Sequence, residues 1–188
     1  KHAEVTLNAG DRAPFFSLAN QDGHIISSKD LQGKKVVLYF YPKDMTPGCT
    51  AEACSLRDNY KALLKAGYEV LGVSTDSEQM HRKFIAKEKL PFRLLADVDK
   101  SIHSKYETWV EKSMYGRKYM GTARITYIID EAGVISEVIE KVDTKAHAQQ
   151  ILGGQAATPA KVKTAKAKAP AAKKAPKKSA PAKRARKK

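Results

Sequence analysis

The stretch "GKKVVLYFYPKDMTPGCTAEACSLRDNYKALLKAGYEVLGVSTD", residues 33–76, contains the patterns of a strand, a helix and a second strand in succession. Residues 33–42 form a short apolar run that a proline closes, which is typical of a buried strand. Apolar residues at helical spacing follow in 49–67, where Gly67 ends the pattern. A second apolar run covers 68–76. Two buried strands joined by a helix predict a βαβ unit.

Further strand and helix patterns flank this unit on both sides. They are a hairpin in "FSLANQDGHIIS" that turns at Asp22-Gly23, a helix over 77–89 with Ser77 as its N-cap, a short strand over 91–97, a hairpin over 123–142 that turns at 131–133, and a helix over 144–154 capped by Thr144. Alternating strands and helices predict an α/β protein whose sheet carries helices on both faces.

Charge divides the chain into two parts. Residues 155–188 contain 13 of the 35 Lys and Arg and none of the 20 Asp and Glu, so 1–154 carry 22 minus 20, or +2, of the total net charge of +15. The C-terminal part consists almost entirely of Ala, Lys and Pro, and it buries too little apolar surface to offset the entropy of ordering. We therefore predict a folded domain over 1–154 and a disordered tail over 155–188.

The tail resembles the Lys-Ala-Pro arms of linker histones and of some bacterial nucleoid proteins. A dense run of cations without aromatic residues predicts non-specific binding to DNA phosphates, with a purely solubilising tail as the alternative. Membrane-surface binding is less favoured because no apolar face accompanies the charge, and no apolar run approaches the length of a membrane span. The predicted contacts are Lys161, Lys163, Lys166, Lys168, Lys173, Lys174, Lys177, Lys178, Lys183, Arg184, Arg186, Lys187 and Lys188.

The chain has two cysteines, and both lie in "YPKDMTPGCTAEAC" (41–54). Cys49 follows a buried strand and a Pro-Gly corner, at the first turn of the predicted helix. The free N–H groups and the positive dipole end of a helix N-terminus favour a thiolate, which is the nucleophilic form of cysteine. The pattern therefore indicates a reactive Cys49, with a small buried apolar residue as the alternative.

Cys54 lies five residues further on in the same predicted helix. In an ideal helix, residues five apart have Cα atoms roughly 8.6 Å apart, whereas a disulfide needs a Cα separation below about 7 Å. The spacing argues against a static disulfide and is compatible with a transient one that forms when the first helical turns unwind. The alternative for Cys54 is an ordinary core residue.

No cofactor or metal site is predicted. Two cysteines five apart and scattered histidines give no cluster of metal ligands, and each histidine is predicted to lie at the surface. So few cysteines indicate a reducing compartment. We expect a cytoplasmic protein that associates with the nucleoid, while a nuclear or organellar location and a removed leader before Lys1 stay open. The five histidines are His2, His24, His81, His103 and His147.

The segment "PKDMTPGC", with Pro42, Thr46 and Cys49 at fixed spacing, resembles the active-site motif of the peroxiredoxins. "FYPKDMTPGCTAEACSLRD" is similar to the bacterioferritin-comigratory-protein or peroxiredoxin Q branch of that family. Matching segments extend the resemblance over about residues 4–152, namely "GDRAPFFSL", "GVSTDS", "LLADVDKSI" and "WVEKSMYGRKYMGTARITYIID". The resemblance implies a thioredoxin-like fold, with a central mixed sheet flanked by helices. It also implies a thiol peroxidase acting on hydrogen peroxide and organic hydroperoxides.

The resemblance also implies roles for single residues. Cys49 corresponds to the peroxidatic cysteine, Cys54 to the resolving one, and Pro42, Thr46 and Arg124 to the rest of the pocket. The implied reductant is thioredoxin or a similar dithiol, and a resolving cysteine in the same chain predicts a monomer. Taken singly, Thr46 would be a turn or cap residue and Arg124 a solvated strand residue.

Three aromatic residues and one acid have two interpretations each. Glu52 either matches an acidic position of the branch or complements the helix dipole in the first turn. The aromatic residues line the rim of the pocket or simply pack; they are Trp109, Tyr115 and Tyr119.

The basic tail supports a rival hypothesis for the whole chain. In this hypothesis the protein primarily binds DNA, as a nucleoid-associated protein, and its peroxiredoxin-like domain senses oxidants. The complete motif favours the peroxidase.

Overall fold

A computed structural model of the chain describes residues 6–153. The strands are β1 (Ser17–Asn20), β2 (Ile25–Ser27), β3 (Lys35–Phe40), β4 (Tyr68–Ser74), β5 (Arg93–Ala96), β6 (Trp109–Met114), β7 (Arg117–Thr122), β8 (Ile125–Ile129) and β9 (Ile135–Ile139). The helices are α1 (Pro47–Asp58), α2 (Tyr60–Lys65), α3 (Glu78–Glu88), α4 (Ser101–Lys105) and α5 (His147–Gly153), with a 3₁₀ turn over Ser28–Leu31.

Seven strands form one mixed sheet in the order β2-β1-β5-β4-β3-β8-β9. Strand β3 lies inside the sheet, parallel to β4 on one side and antiparallel to β8 on the other. The link from β3 through α1 and α2 to β4 confirms the predicted βαβ unit. Strands β6 and β7 pair with each other in a separate two-stranded ribbon.

The sheet has a buried apolar layer on each face. Along β3, Val37 and Tyr39 join the layer that contains α1, α2, α3 and α5. Val36 and Leu38 join the opposite layer, under α4 and the 3₁₀ turn. Side chains alternate between the faces of a strand, so an uninterrupted apolar run is what a strand covered on both faces requires. The predicted arrangement of helices on both faces is confirmed.

The predicted helix over 49–67 is two helices. Helix α1 starts earlier, with Pro47 at its first position, where a missing N–H costs nothing. It ends before Asn59, whose side-chain amide donates to the carbonyl of Ser55 at 2.9 Å. A side chain that bonds the backbone in this way competes with the helical ladder, and α2 begins after it.

The last helix begins at His147, so the prediction of Thr144 as its N-cap is wrong. Asp143 forms a turn first: its carboxylate accepts from the N–H of Lys145 at 3.1 Å, and its carbonyl accepts from Ala146 at 3.2 Å. Thr144 lies within that turn. The predicted end of the helix at Gly154, like the tail, lies outside the described residues.

The prediction that the histidines lie at the surface is wrong for three of them. His81, His103 and His147 are fully buried. Each has a polar partner at a ring nitrogen, and burial of a polar ring requires such a partner. The partners are Asp44 at 2.7 Å, Asp97 at 2.6 Å and Thr126 at 2.8 Å. His24 is exposed, as predicted, and His2 lies outside the described residues.

Every helix among residues 6–153 is too short or too polar to span a lipid bilayer.

Candidate active site

A buried cluster of polar side chains anchors the loop between β3 and α1. The hydroxyl of Tyr41 donates to one carboxylate oxygen of Asp44 at 2.6 Å, and Nδ1 of His81 lies 2.7 Å from the other. The N–H of Asp44 donates to Asp76 at 2.8 Å. These bonds tie the loop to α3 and to the end of β4. They hold Met45 in a left-handed conformation (φ 63°), immediately before α1.

Thr46 and Pro42 lie half-buried in this loop. Thr46 occupies the N-cap position of α1, but its side chain does not cap the helix. Its hydroxyl instead donates to the carbonyl of Lys43 at 2.9 Å. The lone pairs of the Thr46 hydroxyl oxygen therefore stay available to accept a hydrogen bond from a bound molecule.

Cys49 is the third residue of α1 and is only 1% exposed. One guanidinium nitrogen of Arg124, Nη2, lies 3.4 Å from its sulfur and donates to it. The sheet register explains the proximity, because Phe40 pairs with Ile125 and so brings Arg124 beside the start of the loop. A guanidinium and a helix N-terminus both favour a negative charge on the sulfur.

Gly48 makes room for the guanidinium. A β-carbon at this position would lie 3.1 Å from Nη2 of Arg124. A side chain at residue 48 would therefore require the guanidinium of Arg124 to shift by a few tenths of an ångström. The sequence gives no sign of this requirement beyond the Pro-Gly pair itself.

The second arm of Arg124, Nη1, forms an ion pair with Glu52. Glu52 lies past the first turn of α1 and its side chain is fully buried, so the interpretation of it as a first-turn acid is wrong. Burial raises the pKa of Glu52 to about 7, although the charge and hydrogen bond of Arg124 act in the opposite direction. Glu52 also lies 3.6 Å from Nε2 of His147, so α5 contributes to the site. His147 was missed because it was predicted at the surface.

Cys54 has different surroundings. It is half-buried, and its thiol donates to the carboxylate of Glu88 at 3.6 Å. Burial and the adjacent Glu88 raise the pKa of Cys54, while Arg57 lowers it. Both cysteines are free thiols in one helix.

The structure thus brings Cys49 and Arg124 into contact, beside the loop that carries Pro42 and Thr46. Cys54 lies apart from them, against α3. Within the described part of the chain, no group of three or more His, Cys, Asp or Glu side chains could hold a metal ion.

The β6–β7 ribbon flanks this site. The pKa of Lys112 on β6 is lowered, first by its partial burial and then by the charge of Arg124. Trp109 packs edge-on against the ring of His103 at 6.1 Å. Tyr115 at the tip of the ribbon is 99% exposed, and Tyr119 is exposed too. Of the three predicted rim aromatics, Trp109 therefore packs, and Tyr115 projects into solvent.

Comparison with known proteins identifies the family. The sequence profile of the AhpC/TSA family matches residues 9–138. A relative from Coxiella burnetii RSA 493, named as a bcp peroxiredoxin, is 48% identical over 149 residues, which are 79% of this chain and 99% of the relative. Peroxiredoxin Bcp of Escherichia coli K12 is 47% identical over 146 residues, or 78% of this chain and 94% of that protein.

A solved structure agrees with the sequence relatives. The bacterioferritin comigratory protein of Xanthomonas campestris superimposes with a TM-score of 0.74 at 32% identity, over 80% of this chain and 98% of that one. The predicted thioredoxin-like fold and the predicted branch are confirmed. The chain belongs to the AhpC/TSA family and, within it, to the peroxiredoxins of the Bcp and peroxiredoxin Q branch.

Proposed function

We propose that the chain reduces hydroperoxides with Cys49 as the peroxidatic cysteine. The observation that carries this proposal is the contact of Arg124 with the Cys49 sulfur at the first turn of α1. Arginine stays protonated at any working pH, so it can stabilise both the thiolate and the charge that develops on the peroxide.

In the first step the Cys49 thiolate attacks one peroxide oxygen and the O–O bond breaks. Cys49 becomes a sulfenic acid, and the leaving oxygen takes up a proton and departs as water or an alcohol. The N–H groups of Gly48 and Cys49 are the free donors of the first turn, because Pro47 has none. Thr46 accepts a hydrogen bond from the peroxide O–H, and Pro42 forms a wall that offers no competing donor.

The substrate class we propose is hydrogen peroxide together with organic hydroperoxides. The Xanthomonas campestris relative has alkyl peroxide reduction activity. Lys112 of the β6–β7 ribbon lies near enough to Arg124 and Cys49 to sense their charges, and the ribbon carries exposed apolar side chains on the same face, at Met114 and Tyr119. These side chains are suited to the alkyl part of such a substrate.

In the second step the Cys54 sulfur attacks the sulfenic acid of Cys49, which forms an S–S bond and releases water. Cys54 lies in the same helix as Cys49, so α1 must unwind before the two sulfurs can meet. The contact between Cys54 and Glu88 must break as well. We propose that thioredoxin or a similar dithiol then reduces the disulfide by exchange, that the protein works as a monomer, and that it does so in the reducing cytoplasm.

A coupled assay tests the cycle. Thioredoxin, thioredoxin reductase and NADPH are mixed with the reduced protein, and NADPH oxidation is followed after addition of hydrogen peroxide or an alkyl hydroperoxide. We expect turnover with both substrates. Lack of peroxide consumption with any dithiol would refute the peroxidase, whereas consumption with glutaredoxin alone would refute only the thioredoxin dependence.

We further propose that residues 155–188 bind DNA without sequence preference. The support is their charge of +13, in contrast to +2 for the rest of the chain. If six of these cations contact phosphates, the slope of log affinity against log salt is about −5. A protein truncated after Gly154 should lose this affinity. An unchanged affinity and slope in the truncated protein would refute the tail's role, and DNA binding by a protein inactive towards peroxide would favour the oxidant sensor.

A further inference from the structure

A buried polar pair lies behind Arg124, on the side away from Cys49. The side chains of Glu52 and His147 are both 0% exposed. Arg124 occupies Oε2 of Glu52, while Oε1 has no hydrogen-bond partner within residues 6–153. Nε2 of His147 lies 3.6 Å from Oε1, just beyond hydrogen-bond length. A buried carboxylate oxygen without a donor is costly, so this gap calls for an explanation.

The neighbours of Gln150 determine where the imidazole carries its first proton. The side-chain nitrogen of Gln150 donates to the carbonyl of Lys141 at 2.9 Å, and its Oε1 accepts from the N–H of Asp143 at 2.9 Å. Oε1 of Gln150 is therefore the acceptor that lies 2.9 Å from Nδ1 of His147. It follows that Nδ1 carries a hydrogen in every protonation state of the ring.

The other ring nitrogen, Nε2, faces the hydroxyl of Thr126 at 2.8 Å and Oε1 of Glu52. In a neutral ring with hydrogen on Nδ1, Nε2 is an acceptor, so it can offer nothing to an ionised Glu52. A hydrogen bond between them requires one proton. It can reside on Glu52 and point at Nε2, in which case the Thr126 hydroxyl must release that lone pair, or it can reside on Nε2 and be shared between Thr126 and Glu52.

We propose that His147 is a positioning residue of the active site, which holds one proton jointly with Glu52. The pair is then neutral as a whole, as either two uncharged groups or an internal ion pair. Arg124 keeps its positive charge for the Cys49 thiolate instead of having it cancelled by Glu52. This inference rests on Cys49 as the reacting group of the proposed function.

The charged surroundings agree with a single shared proton. Arg124 faces both members of the pair, and Asp143 faces His147 from the turn before α5. Burial lowers the pKa of His147 and raises that of Glu52 to about 7. The hydroxyl of Tyr39 on β3 responds to the charge of Glu52, and burial raises its pKa well above the usual range, so it stays neutral.

The local charge balance shows how the proton shared by Glu52 and His147 affects the ionisation of Cys49. Without that proton, two buried anions, Glu52 and the Cys49 thiolate, share the one guanidinium of Arg124. With it, the guanidinium and the thiolate balance each other. Charges interact far more strongly in such a site than in water, so the protonation of Glu52 changes how readily Cys49 ionises.

The test measures Cys49 ionisation directly, as the pH midpoint of its alkylation by iodoacetamide in a Cys54→Ser background. His147→Leu removes the acceptor for a proton on Glu52 and so favours the ionised carboxylate. We expect the midpoint to rise by about one pH unit, a tenfold loss of thiolate below the midpoint. The shift should vanish when Glu52→Gln is present, because a glutamine stays neutral with or without His147.

His103→Leu is the matched control, since His103 is equally buried beside a carboxylate but on the opposite face of the sheet. It should leave the midpoint unchanged. An unshifted midpoint in His147→Leu, or the same shift with Glu52→Gln present, would overturn the proposal.

A second measurement uses the wild-type protein, so its result does not depend on whether a variant folds. Nitrogen-15 NMR of histidine side chains should show His147 with a protonated Nδ1 at neutral pH. A neutral ring with its hydrogen on Nε2 alone would refute the arrangement. Neither measurement uses peroxide, so failure of the peroxidase assay and failure of this inference are separate outcomes.

Discussion

The two cysteines of α1 lie five residues apart, and the side chains that bond their sulfurs have opposite charges. Cys49 is buried at the start of the helix with the guanidinium of Arg124 against its sulfur. Cys54 is half-buried in the helix interior with the carboxylate of Glu88 against its sulfur. A cation favours a thiolate and an anion favours a thiol. The Arg124 contact thus favours the nucleophilic thiolate at Cys49, and the Glu88 contact favours the thiol at Cys54.

The largest expected effect comes from exchanging the sulfur of each cysteine for oxygen. Cys49→Ser should abolish peroxide consumption, because a serine hydroxyl is not ionised at neutral pH. Cys54→Ser should still consume about one equivalent of peroxide per chain and then stop as a sulfenic acid or crosslink between chains. Rapid-quench measurement of peroxide consumed per chain distinguishes these outcomes. Full recycling in Cys54→Ser would show that Cys54 is not the resolving cysteine.

The next effect comes from removing the cation at Cys49. Arg124→Leu should lower kcat/KM for hydrogen peroxide by about 10²–10³-fold, the usual loss when one preorganised donor is deleted. Arg124→Lys keeps the charge but cannot contact Cys49 and Glu52 with two arms, so it should recover only part of the activity. Arg82→Leu, an exposed arginine on α3, is the control. Equal losses in the Arg82 and Arg124 variants would mean that Arg124 has no special role.

A smaller effect concerns the folded state. The pKa of Glu52 is raised to about 7 from 4.5, so the folded chain binds more protons than the unfolded one between these values, and stability falls as pH rises through this window. Glu52→Gln should therefore gain stability relative to the wild type from pH 4.5 to pH 7, by roughly 3 kcal/mol at most. Urea unfolding at several pH values measures this. Parallel stability curves for the two proteins would contradict a raised Glu52 pKa.

His147 adds an opposite pH dependence to the same experiment. Burial lowers its pKa, so the unfolded chain binds more protons than the folded one below pH 6.5, and stability falls as pH falls from that value. This acid-side loss should persist in Glu52→Gln, since the imidazole remains buried.

The smallest expected effect comes from removing the anion at Cys54. In a Cys49→Ser background, Glu88→Gln should lower the pKa of Cys54 and raise its thiolate fraction at neutral pH roughly threefold, a shift of about half a unit. The rate of alkylation by iodoacetamide reports this fraction. Glu78→Gln, at the other end of α3, should leave the rate unchanged. A slower rate in Glu88→Gln would show that Glu88 activates the thiol rather than restraining it.

The local parts of the fold could be predicted from sequence. The apolar runs of β3 and β4, the Ser77 cap of α3 and the Pro-Gly entry to α1 are properties of neighbouring residues. The β6–β7 ribbon was missed although Gly116 marks its turn. Two-residue turns of this kind need positive φ at both central positions. Here Tyr115 adopts positive φ (51°), whereas the sequence signal for such a turn is an asparagine at that position.

The site could be predicted only as far as its motif. Cys49 and Thr46 share one short segment, and Arg124 follows from the resemblance. The burial of Glu52 and His147 depends on partners from α1, β8 and α5, which only the folded chain brings together. Periodicity within one segment carries no information about such pairs. Polar residues that serve the site are therefore hidden among those that look like surface.

Helix α1 runs without a break through both cysteines, and in the proposed cycle this limits how fast the disulfide forms. In the proposed cycle, the sulfenic acid of Cys49 reacts with Cys54 only after α1 has unwound, and a second peroxide can react with it in that interval. The second oxidation gives a sulfinic acid, which a dithiol cannot reverse. The stability of α1 thereby sets the peroxide dose that inactivates the protein, and each substitution that loosens α1 between Cys49 and Cys54 should raise that dose.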